Sequence, residues 1–202
     1  MVQDQIKVWN SIAPEWHEYK KHSSELAKEF LKAQKGKILD LGSGSGRHLI
    51  KSKDSIFYLS DFSSKMIELA KQKAKKLGML RKTEFSVADM AELPYEDNFF
   101  DAALSISAIH CTPKKQHKKI IKELYRVMKP KSKTLIGVWN KKSKRFRNPK
   151  SSEKLINWTD KGERYYYLFE EKEIRDLFTK AGFKIIKEQN SEMMIRFIAK
   201  KE

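Results

Sequence analysis

The feature that most constrains this chain is a short apolar run that stops abruptly on glycines. Lys37-Ile38-Leu39-Asp40-Leu41 reads as a β-strand, and Gly42-Ser43-Gly44-Ser45-Gly46 follows at once. Glycines at the carboxyl end of a strand let the backbone pass close to a ligand and take conformations that a β-carbon forbids. In a doubly wound α/β sheet this is where ligands bind, beyond the carboxyl ends of the strands at the switch in strand order. The run is therefore expected to form the turn from a first strand into the next helix. Its spacing, G-x-G-x-G followed by Arg47, does not supply the third glycine of a dinucleotide-type G-x-G-x-x-G.

The remainder of the chain supplies a sheet for that turn. The residues before 37 read as helical, with Leu26 and Phe30 four apart and Ala27 and Leu31 likewise. Further strands are expected at Ser55–Ser60, Thr83–Ala88, Phe100–Ile106, Thr134–Trp139, Phe183–Lys187 and Met193–Ala199. Helices are expected from Ser63 to Leu77, from Pro113 to Lys129, and around Ile174, Leu177, Phe178 and Ala181. In the second of these, Ile120, Ile121, Leu124, Val127 and Met128 form a stripe of helical period. Strands alternating with helices imply a parallel sheet with right-handed crossovers. The last two strands, joined by Gln189-Asn190-Ser191-Glu192, imply an antiparallel hairpin at its edge. The expected fold is α/β, Rossmann-like, with a mostly parallel seven-stranded sheet. Residues 1–202 read as one domain, with a helical region at 1–36 and a basic insertion at 140–169.

Composition narrows the setting. The 202 residues contain 40% hydrophobic residues spread along the length, enough for a continuous core. The single cysteine, Cys111, cannot form an internal disulfide, and no Cys/His spacing suits zinc. No apolar run has membrane-spanning length and the first residues lack signal-peptide order, so a cytoplasmic protein without a structural metal is expected. Lys and Arg number 43 against 26 acids, a formal net charge of +17. Such a charge suits a polyanionic partner, because each neutralised phosphate releases counterions. It equally suits a merely solvated lysine-rich surface.

Four acids sit in order at strand boundaries: Asp40, Asp61, Asp89 and Asp101. Taken singly, each is as readily a helix cap or a surface carboxylate. Taken together with D-L-G-S-G-S-G, A-D-M-A-E-L-P-Y-E-D-N-F-F-D and E-L-Y-R-V-M-K-P, they make residues 37 to 139 resemble the class I S-adenosylmethionine-dependent methyltransferases. That resemblance implies S-adenosylmethionine as cofactor and S-adenosylhomocysteine as product, held by Asp40, Gly42, Ser43, Gly44, Asp61, Phe62, Asp89, Met90 and Ser105. Asp61 would accept the ribose hydroxyls. Asp89 would take a hydrogen from the adenine amino group, with Met90 packed on the ring. One departure is Lys131-Ser132-Lys133 after Pro130, where relatives usually carry glycines, which puts the local turn in question.

Three shorter stretches narrow the family. Ser11-Ile12-Ala13-Pro14, Ser105-Ile106-Ser107-Ala108-Ile109-His110 and Arg164-Tyr165-Tyr166-Tyr167-Leu168-Phe169 resemble the tRNA methyltransferases that esterify 5-carboxymethyluridine at the wobble position. The resemblance implies a tRNA substrate and a small zinc-ribbon activator protein as partner. It assigns His110 to positioning the modified base and Arg164 with Tyr165 to holding the substrate carboxylate or a nearby phosphate. His110 reads equally as a structural cap, and at least one of the three tyrosines as core. Arg47 and Tyr19 are weaker candidates for closing over the cofactor.

Lys141, Lys142, Lys144, Arg145 and Arg147, with Phe146 among them, and Lys114 and Lys115 all follow strand carboxyl ends. They are expected to rim the active-site face and to contact RNA. Two rival readings remain: a small-molecule methyltransferase of the same fold acting on a quinone or metabolite, and an RNA-binding protein with a vestigial cofactor site.

Overall fold

The structure, a computed structural model, describes residues 2–147 and 149–202. Helices α1 (Val2–Tyr19) and α2 (Glu25–Lys32) lead into strand β1 (Gly36–Leu41). Strand β2 (Ser55–Asp61), helix α3 (Ser64–Lys76) and strands β3 (Thr83–Val87) and β4 (Phe100–Ile106) follow. Next come α4 (Lys114–Val127), β5 (Met128–Trp139), a hairpin of β6 (Glu153–Asn157) and β7 (Glu163–Tyr167), α5 (Glu171–Lys180), β8 (Phe183–Glu188) and β9 (Met194–Lys201). Seven strands form one sheet in the order β3-β2-β1-β4-β5-β9-β8. β1 to β5 pair in parallel, and β9 runs antiparallel to both β5 and β8. The expected Rossmann-like sheet with its closing antiparallel hairpin is what forms.

Burial explains why the central strands carry almost no polar residues. Both faces of the sheet are covered, so alternate residues of one strand enter different cores. Ile38 of β1 packs with Ala27, Phe30, Leu31, Ala70 and Ala74 from α2 and α3. Its neighbour Leu39 packs with Ile120, Ile121, Leu124 and Val127 of α4 and with Ile174 and Phe178 of α5. A third cluster lies at one end, where Trp9, Ile12 and Ala13 of α1 meet Met66 of α3 and Tyr166 of β7. Helix α1 is thereby fastened across the carboxyl ends of the strands.

Three expectations need correction. No helix follows the glycine run: the stretch from 42 to 54 is turns as far as His48 and irregular chain beyond. Gly42, Gly44 and Gly46 all have positive φ, and a left-handed residue at every second position cannot propagate a right-handed helix. Helix α4 ends at Val127, two residues early, because Met128 already pairs with Phe100 in the sheet. A shift in register then separates that pair from Ala102↔Lys133. Lys131 sits in the intervening stretch at φ 67, a conformation in which a glycine would be unstrained. Last, the basic insertion contains β6 and β7, paired antiparallel from Glu153↔Tyr167 to Asn157↔Glu163.

Candidate active site

A cavity of about 310 Å³ lies over the carboxyl ends of β1, β2 and β4, beneath α1. β1 stands between β2 and β4, the point at which strand order reverses. The wall is built from Gly42 to Ser45, Asp61, Phe62, the stretch from Val87 to Met90, and Ser107, Ala108 and Cys111. Gln5, Trp9, Trp16 and Lys20 of the N-terminal region close it from above, and Tyr165 faces it from β7.

The glycine turn is held open by Asp61. Its two carboxylate oxygens accept the Gly44 N–H at 2.8 Å and the Ser63 N–H at 2.9 Å. Gly42 (φ 71) approaches so closely that a β-carbon there would stand 2.2 Å from the Ala108 β-carbon. A β-carbon on Gly44 would meet nothing within 4 Å, so that position looks onto open cavity. A cradle of backbone, one buried carboxylate, and a flat apolar patch at Val87, Ala88 and Met90 fits an adenosine joined to an amino-acid chain. Asp89 lies exposed at the rim, one oxygen accepting the Ala91 N–H at 2.8 Å.

Two residues expected on this wall stand behind it. Ser105 is fully buried and donates to the Leu41 carbonyl at 2.9 Å, tying β4 to β1. Asp40 is also buried, with one carboxylate oxygen unpartnered, and does not face the cavity. Burial raises its carboxyl to about 7, with Arg47 opposing the shift and Asp61 adding to it. Burial likewise raises Asp61 to about 6 against its two backbone donors.

A raised acid holds its proton more tightly in the fold than in the unfolded chain. Between about pH 4 and about pH 7 the folded protein binds a proton that the unfolded chain has released, so stability falls as pH rises through that window. Asp40→Asn removes the Asp40 share of that fall and leaves the smaller share of Asp61. Thermal melts of the cofactor-free variant should match the parent near pH 4 and exceed it near pH 8, by about 2–4 kcal/mol. Identical melting curves at both pH values would refute the assignment.

A second cavity, about 90 Å³, adjoins the first and shares Trp16, Lys20, Arg47 and Ser107 with it. His110, Trp139, Tyr166 and Arg164 line its inner part, with Tyr19, Arg145 and Trp158 towards the surface. The lining carries four cationic side chains, Lys20, Arg47, Arg145 and Arg164, and no carboxylate. Arg164 is 6% exposed, its guanidinium 4.7 Å from the Trp158 ring and 5.3 Å from that of Trp16. It donates to the Tyr166 hydroxyl at 2.8 Å, and its Nε has no partner. His110 Nδ1 accepts the Trp139 N–H at 3.0 Å, and burial lowers the imidazole to about 3. The ring is therefore neutral, with its hydrogen on Nε2.

Strand alternation separates two residues expected to act together. Arg164 and Tyr166 point to the second cavity, while Tyr165 points to the first. The expected RNA contacts also divide. Lys114 pairs with Glu173 and Lys141 with Glu170, each at 3.4 Å. Lys115, Lys142, Lys144, Arg145 and Arg147 are exposed beyond the strand ends. Cys111 lies on the cavity wall, but burial pushes its thiol far above the ordinary range and keeps it protonated.

The aromatic wall was missed in the sequence. All four tryptophans, Trp9, Trp16, Trp139 and Trp158, face one cavity or the other. Their scarcity was the available signal. Among the described residues there is no cluster of His, Cys, Asp and Glu arranged to hold a metal, and no helix long and apolar enough to cross a membrane.

Residues 38–131 match the family described as a methyltransferase domain. A tRNA (carboxymethyluridine(34)-5-O)-methyltransferase of Arabidopsis thaliana is 33% identical over 136 residues, covering 66% of this chain and 32% of that protein. A ubiquinone/menaquinone biosynthesis C-methyltransferase of Rickettsia felis is 36% identical over 104 residues, covering 48% of this chain and 41% of that protein. The complex between the Haloferax volcanii Trm112 methyltransferase activator and a methyltransferase contains a chain of the same fold. It matches with TM-score 0.75 and 16% identity, over 99% of this chain and 97% of that one. The match to the Arabidopsis protein spans only about a third of its length. Residues 38–131 thus match a methyltransferase domain, and the cavity over the strand ends has the lining that S-adenosylmethionine needs.

Proposed function

Starting from a class I methyltransferase domain, we propose that the protein methylates tRNA, esterifying the carboxylate of 5-carboxymethyluridine at the wobble position. The observation that carries this reading is the second cavity: aromatic, cationic, free of carboxylates, and joined to the cofactor cavity at Arg47 and Ser107. A planar base bearing a carboxylate suits such walls. Bases splayed from single-stranded loops stack on aromatic rings and guanidinium planes, and a guanidinium takes a carboxylate as a two-point partner.

The cofactor, when bound, supplies a methyl group on a sulfonium whose carbon–sulfur bond electrons leave with the sulfur. The protein's part is alignment. Arg164, buried and with Nε free, holds the acceptor carboxylate. His110, neutral, offers an Nε2–H to the base. Tyr165, on the other face of β7, belongs with Gln5 to the cofactor side, where its N–H donates to Gln5 Oε1 at 2.9 Å. A carboxylate is ionised at neutral pH, so no general base is required and positioning does most of the work. Accordingly, kcat at saturating cofactor should be flat from about pH 7 to about pH 9. A rising limb in that window would identify a base and exclude this chemistry.

A zinc-ribbon activator protein and a cytoplasmic setting belong to the same proposal. β3 is an open sheet edge, with Leu80 exposed just before it and Val87 exposed at its end. Val87 also lines the cofactor cavity, so a partner laid along β3 would shield that end of the cofactor.

The likeness to the Rickettsia protein favours a small-molecule acceptor as the second reading. The test uses labelled S-adenosylmethionine with total tRNA from a strain lacking wobble esterification, with and without the zinc-ribbon partner. Label in the RNA supports the proposal. Cofactor binding with no transfer to RNA in either case supports the small-molecule reading, and absence of cofactor binding supports an RNA-binding protein with a vestigial site.

A further inference from the structure

The mouth of the second cavity carries charge that the chemistry of the base does not use. Lys20 directly follows α1, its backbone N–H bonded to the Trp16 carbonyl at 2.9 Å. Its ammonium lies 4.6 Å from the centre of the Tyr19 ring and 5.8 Å from that of Trp16. Across the mouth, Arg145 sits on a short helical turn, Lys144–Phe146, that is anchored at both ends. The Ser143 hydroxyl caps the Arg145 N–H at 3.2 Å, Glu192 accepts the Lys144 N–H, and Phe146 is buried. The Arg145 guanidinium lies 5.1 Å from the Trp139 ring and donates to the Met193 sulfur at 3.7 Å. Both cations are thus held in place by rings and sulfur, and among the described residues neither side chain bonds a carboxylate. Tyr19, beside Lys20, is 63% exposed and packed edgewise on Trp158.

Fixed cations without acids cost free energy unless an anion visits them. Burial lowers the Lys20 ammonium, and Arg47, Arg145 and Arg164 lower it further, with no acid opposing them. The spacing of the mouth from the inner cavity matters as well. Arg164 and His110 lie deep, at 6% and 1% exposure. The sugar and phosphate of the same nucleotide would remain at the mouth.

Resting on the function proposed above, we propose that Lys20 and Arg145 form a phosphate subsite for the nucleotide whose base enters the cavity, with Tyr19 as a stacking surface for the adjoining base. The subsite makes the enzyme select a nucleotide within a strand over a free modified base. It also explains why an exposed tyrosine stands beside an ammonium that bonds no acid.

The four tryptophans give a direct binding signal that does not depend on turnover. Their fluorescence is titrated with 5-carboxymethyluridine and with its 5′-monophosphate, in the presence of S-adenosylhomocysteine. Wild type should bind the monophosphate about tenfold or more tightly than the nucleoside, as expected for charge-assisted hydrogen bonds to a phosphate. In the Lys20→Met/Arg145→Met protein that ratio should fall to near unity. Lys20→Arg should retain the ratio. Equal affinity of the two ligands for wild type would overturn the subsite while leaving the base pocket standing. Equal losses for both ligands in the double variant would reduce Lys20 and Arg145 to structural roles. Binding of neither ligand, with cofactor affinity intact, would overturn the function on which the subsite rests.

Discussion

Gly42→Ala is expected to abolish measurable cofactor binding and to destabilise the fold by about 2–5 kcal/mol. Two costs add. A left-handed conformation at φ 71 is strained for any residue with a β-carbon, by about 1–2 kcal/mol. The new methyl would also stand 2.2 Å from the Ala108 β-carbon, so the turn or the end of β4 must move, at about 1–3 kcal/mol. Either movement disturbs the Gly44 N–H that Asp61 holds at 2.8 Å, and with it the backbone cradle. Gly44→Ala is the matched control. It has positive φ but open space, so it should cost stability only about 1–2 kcal/mol. Thermal melts with and without S-adenosylhomocysteine read both effects. A Gly42→Ala protein that binds the cofactor like wild type would show that the turn is not the cradle.

Arg164→Met should lower kcat/KM for tRNA by about 30-fold to several-thousand-fold, while cofactor affinity changes by less than about threefold. The range follows from about 2–5 kcal/mol for removing one partner of a buried, hydrogen-bonded charge pair. Selectivity between the two readouts follows from geometry, because Arg164 lines the second cavity and not the first. Arg164→Lys should fall almost as far. A lysine keeps the charge but loses the planar contact with Trp158 and Trp16 and the fork that addresses a carboxylate. Near-normal tRNA turnover in Arg164→Met would remove the arginine from the substrate site.

The sheet was legible in the sequence because its signals are local. Continuous apolar strands at Ile38–Leu39 and Ala102–Leu104 and the stripe on α4 each follow from burial on one face or two. The glycine turn was legible for the same reason, since glycines at alternate positions after a strand mark backbone of positive φ. What failed was junctions and pairings. Met128 fits the apolar stripe of α4, and only its pairing with Phe100 makes it the start of a strand. Strands β6 and β7 are mixed in polarity, so their alternation is visible only once Leu155 is seen opposite Tyr165. Asp40 and Ser105 carry the residue types of a cofactor site but are buried behind its wall, a distinction set by strand register. The second cavity was the least legible part. Trp16, Trp139 and the hairpin pair Trp158 and Arg164 come from three separate segments, and no spacing in the chain announces that they meet.

The most direct test of the central claim uses two anticodon stem-loops identical except at one atom group. One carries 5-carboxymethyluridine at the wobble position and the other carries uridine. With labelled S-adenosylmethionine and the zinc-ribbon partner, only the first should take up label, and mild alkali should release that label as methanol. Label on the uridine stem-loop, or label on the first that resists alkali, would contradict methyl transfer to the carboxylate.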